Sequence, residues 1–188
     1  MRSTLLILIA ILPLVQGCAP LIVGGAAATG VVVAQDRRTV GTIAEDEGIE
    51  LKASGRIRER LGDGAYVSVT SYNRTVLLTG QVPDAAARAD AERIARGVEN
   101  VRNVHNELAI AGVSSFTARS NDSIITSKVK TRFLDSQKFN ALNVKVVTES
   151  SVVYLLGLVK KDEANDATEI ARTTSGVQKV VRVFEYLD

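Results

Sequence analysis

A single cysteine, Cys18, and a single histidine, His105, are spread over 188 residues, and tryptophan is absent. One thiol cannot form a disulfide within the chain, and one thiol plus one imidazole fall short of the ligands a tetrahedral metal site requires. Neither a staple nor a metal is expected, and no cofactor is implied. Nucleophilic catalysis needs a base beside a hydroxyl or thiol, and the lone imidazole falls in a strand-like segment. Gly24, Gly25 and Gly30 do not lie between a strand and a helix, so a phosphate-binding loop lacks its setting. Acids such as Glu45, Asp46 and Glu47 read as complements to a helix dipole, with Asp46 and Asp122 as N-caps or first-turn acids, rather than as a hydrolytic pair. An enzyme is not indicated. The 23 basic and 21 acidic residues nearly balance and aromatics are few, so a nucleic-acid partner is not indicated either.

Also missing is an uninterrupted apolar run of the roughly 20 residues that a spanning helix needs. Leu5 to Val15 is shorter and interrupted by Pro13; with Arg2 ahead of it, the stretch reads as a signal peptide. Val15-Gln16-Gly17-Cys18 resembles the lipobox of bacterial lipoproteins. That resemblance implies removal of residues 1–17, acylation of Cys18 as the new N-terminus, and, because position 19 is alanine, a lipid anchor on the periplasmic face of an outer membrane. Several acyl chains would hold firmly, each buried methylene contributing about 0.8 kcal/mol. Residues 18–44 then form the lipidated N-terminus and tether. Within them, "LIVGGAAATGVVVA" at 21–34 either spaces the folded part from the lipid or rests against the membrane, and "QDRRTVGT" at 35–42 marks the approach to folded structure.

What is present is an internal repeat. "VSVTSYNRTVLLTGQV" at 67–82 resembles "VKVVTESSVVYLLGLV" at 144–159, matching Val69 with Val146, Leu78 with Leu155 and Gly80 with Gly157. Downstream, Gly97-Val98 matches Gly176-Val177 after a small insertion, which aligns His105 with Phe184. Upstream, Ile49, Ala53 and Ile57 in one copy and Ile125, Val129 and Phe133 in the other recur at helical spacing. Each copy therefore reads helix, strand, strand, helix, strand: 46–61, 66–72, 74–80, 84–97 and 101–109, then 122–137, 142–148, 151–157, 161–173 and 178–187. Pro83 and Asp84 suit a helix start. Gly80 and Gly157 close strands and serve the turn. The hairpin and right-handed crossover give a three-stranded sheet with two helices on one face, an α+β unit built twice.

This unit is similar to the BON domain. The whole chain resembles the twin-BON-domain outer-membrane lipoproteins of Gram-negative bacteria through "QGC" at 16–18, "RTVGT" at 38–42, "NDSIITSKVKTRFL" at 121–134, "NVKVVTE" at 143–149 and "GLV" at 157–159. The domains are expected at 45–111 and 121–188, joined by a linker at 112–120.

Residues 45–112 hold 9 basic and 11 acidic residues, whereas 119–188 hold 11 and 9. In the second copy the charge gathers on the first helix, in Lys128, Lys130 and Arg132. On a wheel of about 100° per residue, Ile125, Val129 and Phe133 form the core face, Ile124 and Leu134 point away, and Lys128 and Lys130 flank that outward side. Apolar side chains bracketed by cations suit anionic lipid head groups. The resemblance adds that the second domain binds anionic phospholipid through this helix, supporting outer-membrane integrity with enrichment at division sites. Isoleucine at 124 lacks the amphipathic ring suited to an interface, a lack Phe139 is placed to offset. Lipid binding is thus expected at Ile124, Lys128, Lys130, Leu134 and Phe139. The alternative is an adaptor that docks outer-membrane assembly or cell-wall remodelling proteins.

Overall fold

Thr39 opens the first helix, α1 (Val40–Leu61), its hydroxyl accepting from the Thr42 N–H at 3.1 Å. The computed structural model describes residues 36–187, so the signal segment, Cys18 and the run at 21–34 lie outside the described residues. After α1, a short 3-10 turn leads into β1 (Tyr66–Tyr72), which pairs antiparallel with β2 (Thr75–Val82). Asn73 and Arg74 make the two-residue turn between them, both at positive φ (49° and 65°), as the twist of a tight hairpin demands. Asp84 caps α2 (Ala85–Arg96), accepting from Ala87 N–H at 2.7 Å, and the chain returns in β3 (Asn103–Asn106) and β4 (Ala109–Ile110), both parallel to β2.

The second copy repeats this order with α3 (Phe116–Ser136), β5 (Val144–Glu149), β6 (Val152–Val159), α4 (Lys161–Arg172) and β7 (Lys179–Tyr186). Both sheets run in the same order, β1-β2-β3 and β5-β6-β7, so the duplication seen in the sequence is a duplication of fold. Each sheet packs one face on its two helices. Ile49, Ala53 and Ile57 meet Val69, Val76, Leu78 and Val82 in the first core; Ile125, Val129 and Phe133 meet Val146, Val153, Leu155 and Val159 in the second. Small residues on α2 (Ala87, Ala91, Ala95) and α4 (Ala164, Ala167, Ala171) are buried in these cores and let each helix approach closely.

The helix-free faces are covered too, by each other. Tyr72 and Leu77 of the first sheet pack with Tyr154, Leu156, Leu158 and Val183 of the second in a third apolar cluster. This explains why β2 and β6 are buried almost from end to end instead of alternating, since a central strand covered on both faces has no side for water. Burial pushes the Tyr154 hydroxyl up to about 12, so it stays neutral. Polar ties ring the cluster: the Tyr72 hydroxyl donates to Asn143 O at 3.3 Å, Gln81 to Glu149 at 2.6 Å, and Lys145 to Glu50 at 2.7 Å. Ahead of α1, Arg37 forks onto Glu163 at 2.6 and 2.8 Å and donates to Leu158 O, while Arg38 reaches Asp36 and Asp46 and lies 4.0 Å above the Tyr72 ring. Residues 36–38 thus strap the first domain to the second.

Four local expectations are corrected. Asp46 and Asp122 do not begin helices; α1 and α3 start well ahead of them, capped by Thr39 and Ser115, so the linker expected at 112–120 ends before Phe116. Both aspartates are buried instead, at 3% and 6% exposure, and face the hairpin turns. Asp46 accepts from Asn73 N and Arg74 N, each at 2.8 Å, and from the Ser71 hydroxyl; Asp122 accepts from Ser150 N and Ser151 N at 2.8 Å. Gly80 and Gly157 lie inside strands, opposite Val67 and Val144, rather than in turns. A Cβ at Gly80 would come within 2.1 Å of Tyr66 O, and one at Gly157 within 2.4 Å of Asn143 O, so bare backbone is required there. Finally, no insertion precedes Gly176. Arg102 N–H binds Arg74 O as Gln178 N–H binds Ser151 O, which places Gly176 opposite Asn100, both at positive φ, and His105 opposite Val181 rather than Phe184.

Candidate functional site

Ser115 caps α3 by accepting from Ala118 N–H at 3.2 Å, and Gln137, in the left-handed region, ends it. The helix lays Ile125, Val129 and Phe133 into the core, each at most 1% exposed, and this fixes what its other side offers. Ile124 and Leu134 are 54% and 65% exposed, as the wheel requires. Between them the outward side carries Ser127 and Thr131, and Ser123 and Ser127 turn their hydroxyls back onto the carbonyls of Arg119 and Ser123. The surface is therefore less polar than its sequence suggests, because those hydroxyls are already satisfied. Asp135 is the one acid that α3 exposes, Asp122 being buried.

The two lysines lie on opposite flanks. Lys128 shares a cleft of about 680 Å³ with Ile124, Arg132 and the Thr173–Ser175 loop that follows α4. Lys130 shares another, of about 330 Å³, with Leu134, Leu142, Tyr72 and Arg38. Neither lysine forms an ion pair or hydrogen bond among the described residues. Other nearby cations are engaged. Arg132 donates to Ile170 O at 2.9 Å and Thr174 Oγ1 at 2.8 Å, stitching α3 to the end of α4; Lys138 pairs with Asp166, and Lys145 with Glu50. The structure thus groups Ile124 with Lys128 and Leu134 with Lys130, along one outward face.

Phe139 is the exception among the expected lipid contacts. It is half-buried and packs edge-on against Phe133 with ring centroids 5.1 Å apart, closing the end of the second core. A ring used this way is withdrawn from the surface. Conversely, sequence reasoning missed Phe116, 78% exposed at the first position of α3, and Leu142, 43% exposed beside Lys130. The Ser114-Ser115 pair was the available signal for an earlier helix start, and Asp122 masked it.

The lone imidazole of His105 is half-buried on β3, 3.3 Å from the Asn103 amide, with no acid or hydroxyl as hydrogen-bond partner among the described residues. Among the described residues, no cluster of histidine, cysteine or acids is arranged to hold a metal ion, and no helix is long and apolar enough to cross a membrane. Near the base of α3, burial pushes the Glu149 carboxyl above the ordinary range, opposed by its hydrogen bond from Gln81.

The model of the BON domain family matches residues 45–112 and 121–188. The chain is 41% identical to the outer membrane lipoprotein DolP of Haemophilus influenzae, over 92% of this chain and 90% of that one. It is 34% identical to a 21 kDa hemolysin of Actinobacillus pleuropneumoniae (81% and 79% covered) and 30% identical to the osmotically-inducible protein Y of Escherichia coli (75% and 72%).

Proposed function

The chain belongs to the BON-domain family, as a twin-BON outer-membrane lipoprotein, and from that premise we propose that it works without catalysis, gathering on anionic phospholipid through α3 while Cys18 anchors it. One observation carries the reading: two large apolar side chains, Ile124 and Leu134, stand exposed on a helix whose flanking Lys128 and Lys130 have no partner of their own among the described residues. Apolar area gives insertion, and unpaired ammonium groups give preference for anionic head groups. With the protein already tethered, this second contact is effectively intramolecular, so a weak site still directs where the protein gathers. Support of outer-membrane integrity, with enrichment at division sites, follows from such directed gathering.

A soluble form beginning at Asp36 tests this in co-sedimentation with vesicles. It is expected to bind vesicles containing phosphatidylglycerol and to leave purely zwitterionic ones. Binding to neither, with recruitment of envelope proteins instead, would favour the adaptor reading, for which β7 offers an eight-residue strand bordered among the described residues only by β6. Mass spectrometry of the native N-terminus tests the anchor, since an unmodified chain starting elsewhere than residue 18 would remove it.

A further inference from the structure

The early start of α3 lengthens its outward face by six residues, and the residue that opens it is the most exposed large apolar side chain among the described residues. Phe116 precedes Leu134 by about five whole turns, so the two share one bearing on the helix, about 27 Å apart along its axis, with Ile124 between them in height and about 80° further round the same outward face. Ser120, Ser123, Ser127 and Thr131 fill the remainder of that face, and it carries no acid between Phe116 and Leu134. Lone exposed apolar residues are ordinary, but three on one outward face of a helix, with the Ser123 and Ser127 hydroxyls between them satisfied, form a stripe.

Two features identify what covers it. The unpaired Lys128 and Lys130 border the stripe, which matches an anionic surface and would repel a basic partner. The described chain also begins beside the far end of the stripe, because Arg38 lines the same cleft as Lys130 and Leu134. The described chain therefore starts near Leu134, and Phe116 stands at the opposite end of the helix. Attachment at one end alone would let the molecule pivot. A phenylalanine at the other end stops the pivot, since on a helix lying in the membrane plane such a side chain buries at the boundary of head groups and acyl chains.

Building on the lipid reading above, we propose that α3 lies lengthwise on an anionic bilayer, with Phe116 as its second membrane anchor, so that the protein is held flat rather than swinging on its tether.

The absence of tryptophan makes this directly readable, because each introduced indole is the sole one in the chain. Full-length lipidated protein carrying Phe116→Trp, Ile124→Trp or Leu134→Trp would be reconstituted in vesicles of phosphatidylglycerol and phosphatidylethanolamine that contain brominated acyl chains. All three positions are exposed, and circular dichroism checks that the folds match. The expected result is a blue-shifted, quenched emission from all three reporters in anionic vesicles, lost in phosphatidylcholine vesicles and lost on adding Lys128→Glu with Lys130→Glu. Quenching at positions 124 and 134 without quenching at 116 would overturn the flat arrangement while leaving lipid binding intact. Quenching at 116 alone would likewise overturn it, and no quenching at any position would overturn both readings. A protein covering the stripe would shield the Phe116→Trp reporter from bromine in either lipid, which also counts against the proposal.

Discussion

Asp46 shows how one side chain can hold a turn. Its two oxygens satisfy the N–H groups of Asn73 and Arg74, the Ser71 hydroxyl and the Arg38 guanidinium, so a buried carboxylate fixes a hairpin that contains no glycine. Asp122 does the same for Ser150 and Ser151 with fewer partners. Replacing either aspartate by alanine strands buried donors, each orphaned group costing about 1–3 kcal/mol. Asp46→Ala is therefore expected to cost about 3 kcal/mol or more and Asp122→Ala somewhat less, read as lowered urea midpoints. Arg74→Gly should recover part of the first loss, because glycine tolerates the positive φ of 65° without help from Asp46. Equal midpoints for Asp46→Ala and the parent would refute the assignment.

At the scale of elements, α3 decides both stability and membrane contact, and its two faces separate under mutation. Phe133→Asp places a charge in the second core and is expected to unfold that domain, lost as helical and sheet signal in circular dichroism. Lys128→Glu with Lys130→Glu should leave the fold intact and weaken binding to anionic vesicles at least about tenfold, at about 1 kcal/mol per cation, with the loss shrinking as salt rises. Ile124→Asp should weaken it with less dependence on salt. Unchanged binding by the double reversal would make this helix an ordinary solvated surface. The order of elements and both core stripes were legible because hydrophobic spacing and the duplication point the same way. The starts of α1 and α3 were not, because Asp46 and Asp122 have the side chain of a cap and the location of a turn clamp, and burial distinguishes the two. The last strands were misaligned because Gly97-Val98 and Gly176-Val177 look alike, although the backbone conformation needed at Gly176 is supplied by Asn100. Phe139 misled for a related reason: a ring just past a helix serves a surface or a core equally well until the following turn folds it back on Phe133.

The molecule as a whole depends on surfaces each half denies to water. The strap is one such feature. The Arg37 guanidinium holds the Glu163 carboxyl below its ordinary value of 4.5, so the contribution of this pair is fully present above that pH and is lost as pH falls through the lowered value. The urea midpoints of the parent and Arg37→Ala are therefore expected to differ at neutral pH and to converge in acid below about 4.5; a constant difference would exclude the pair as the cause. The paired sheets are the other feature. Where the first sheet offers Thr79 and Gln81 on β2, the second offers the repeat-equivalent Leu156 and Leu158 on β6, with Tyr154 and Val183 beside them. A second domain expressed by itself would bare that apolar sheet and is expected to self-associate in analytical ultracentrifugation, while the first domain stays closer to monomeric. Seen in this light, the tandem copy resembles a dimer fused into one chain, in which the first half acts as resident chaperone to the greasier face of the second.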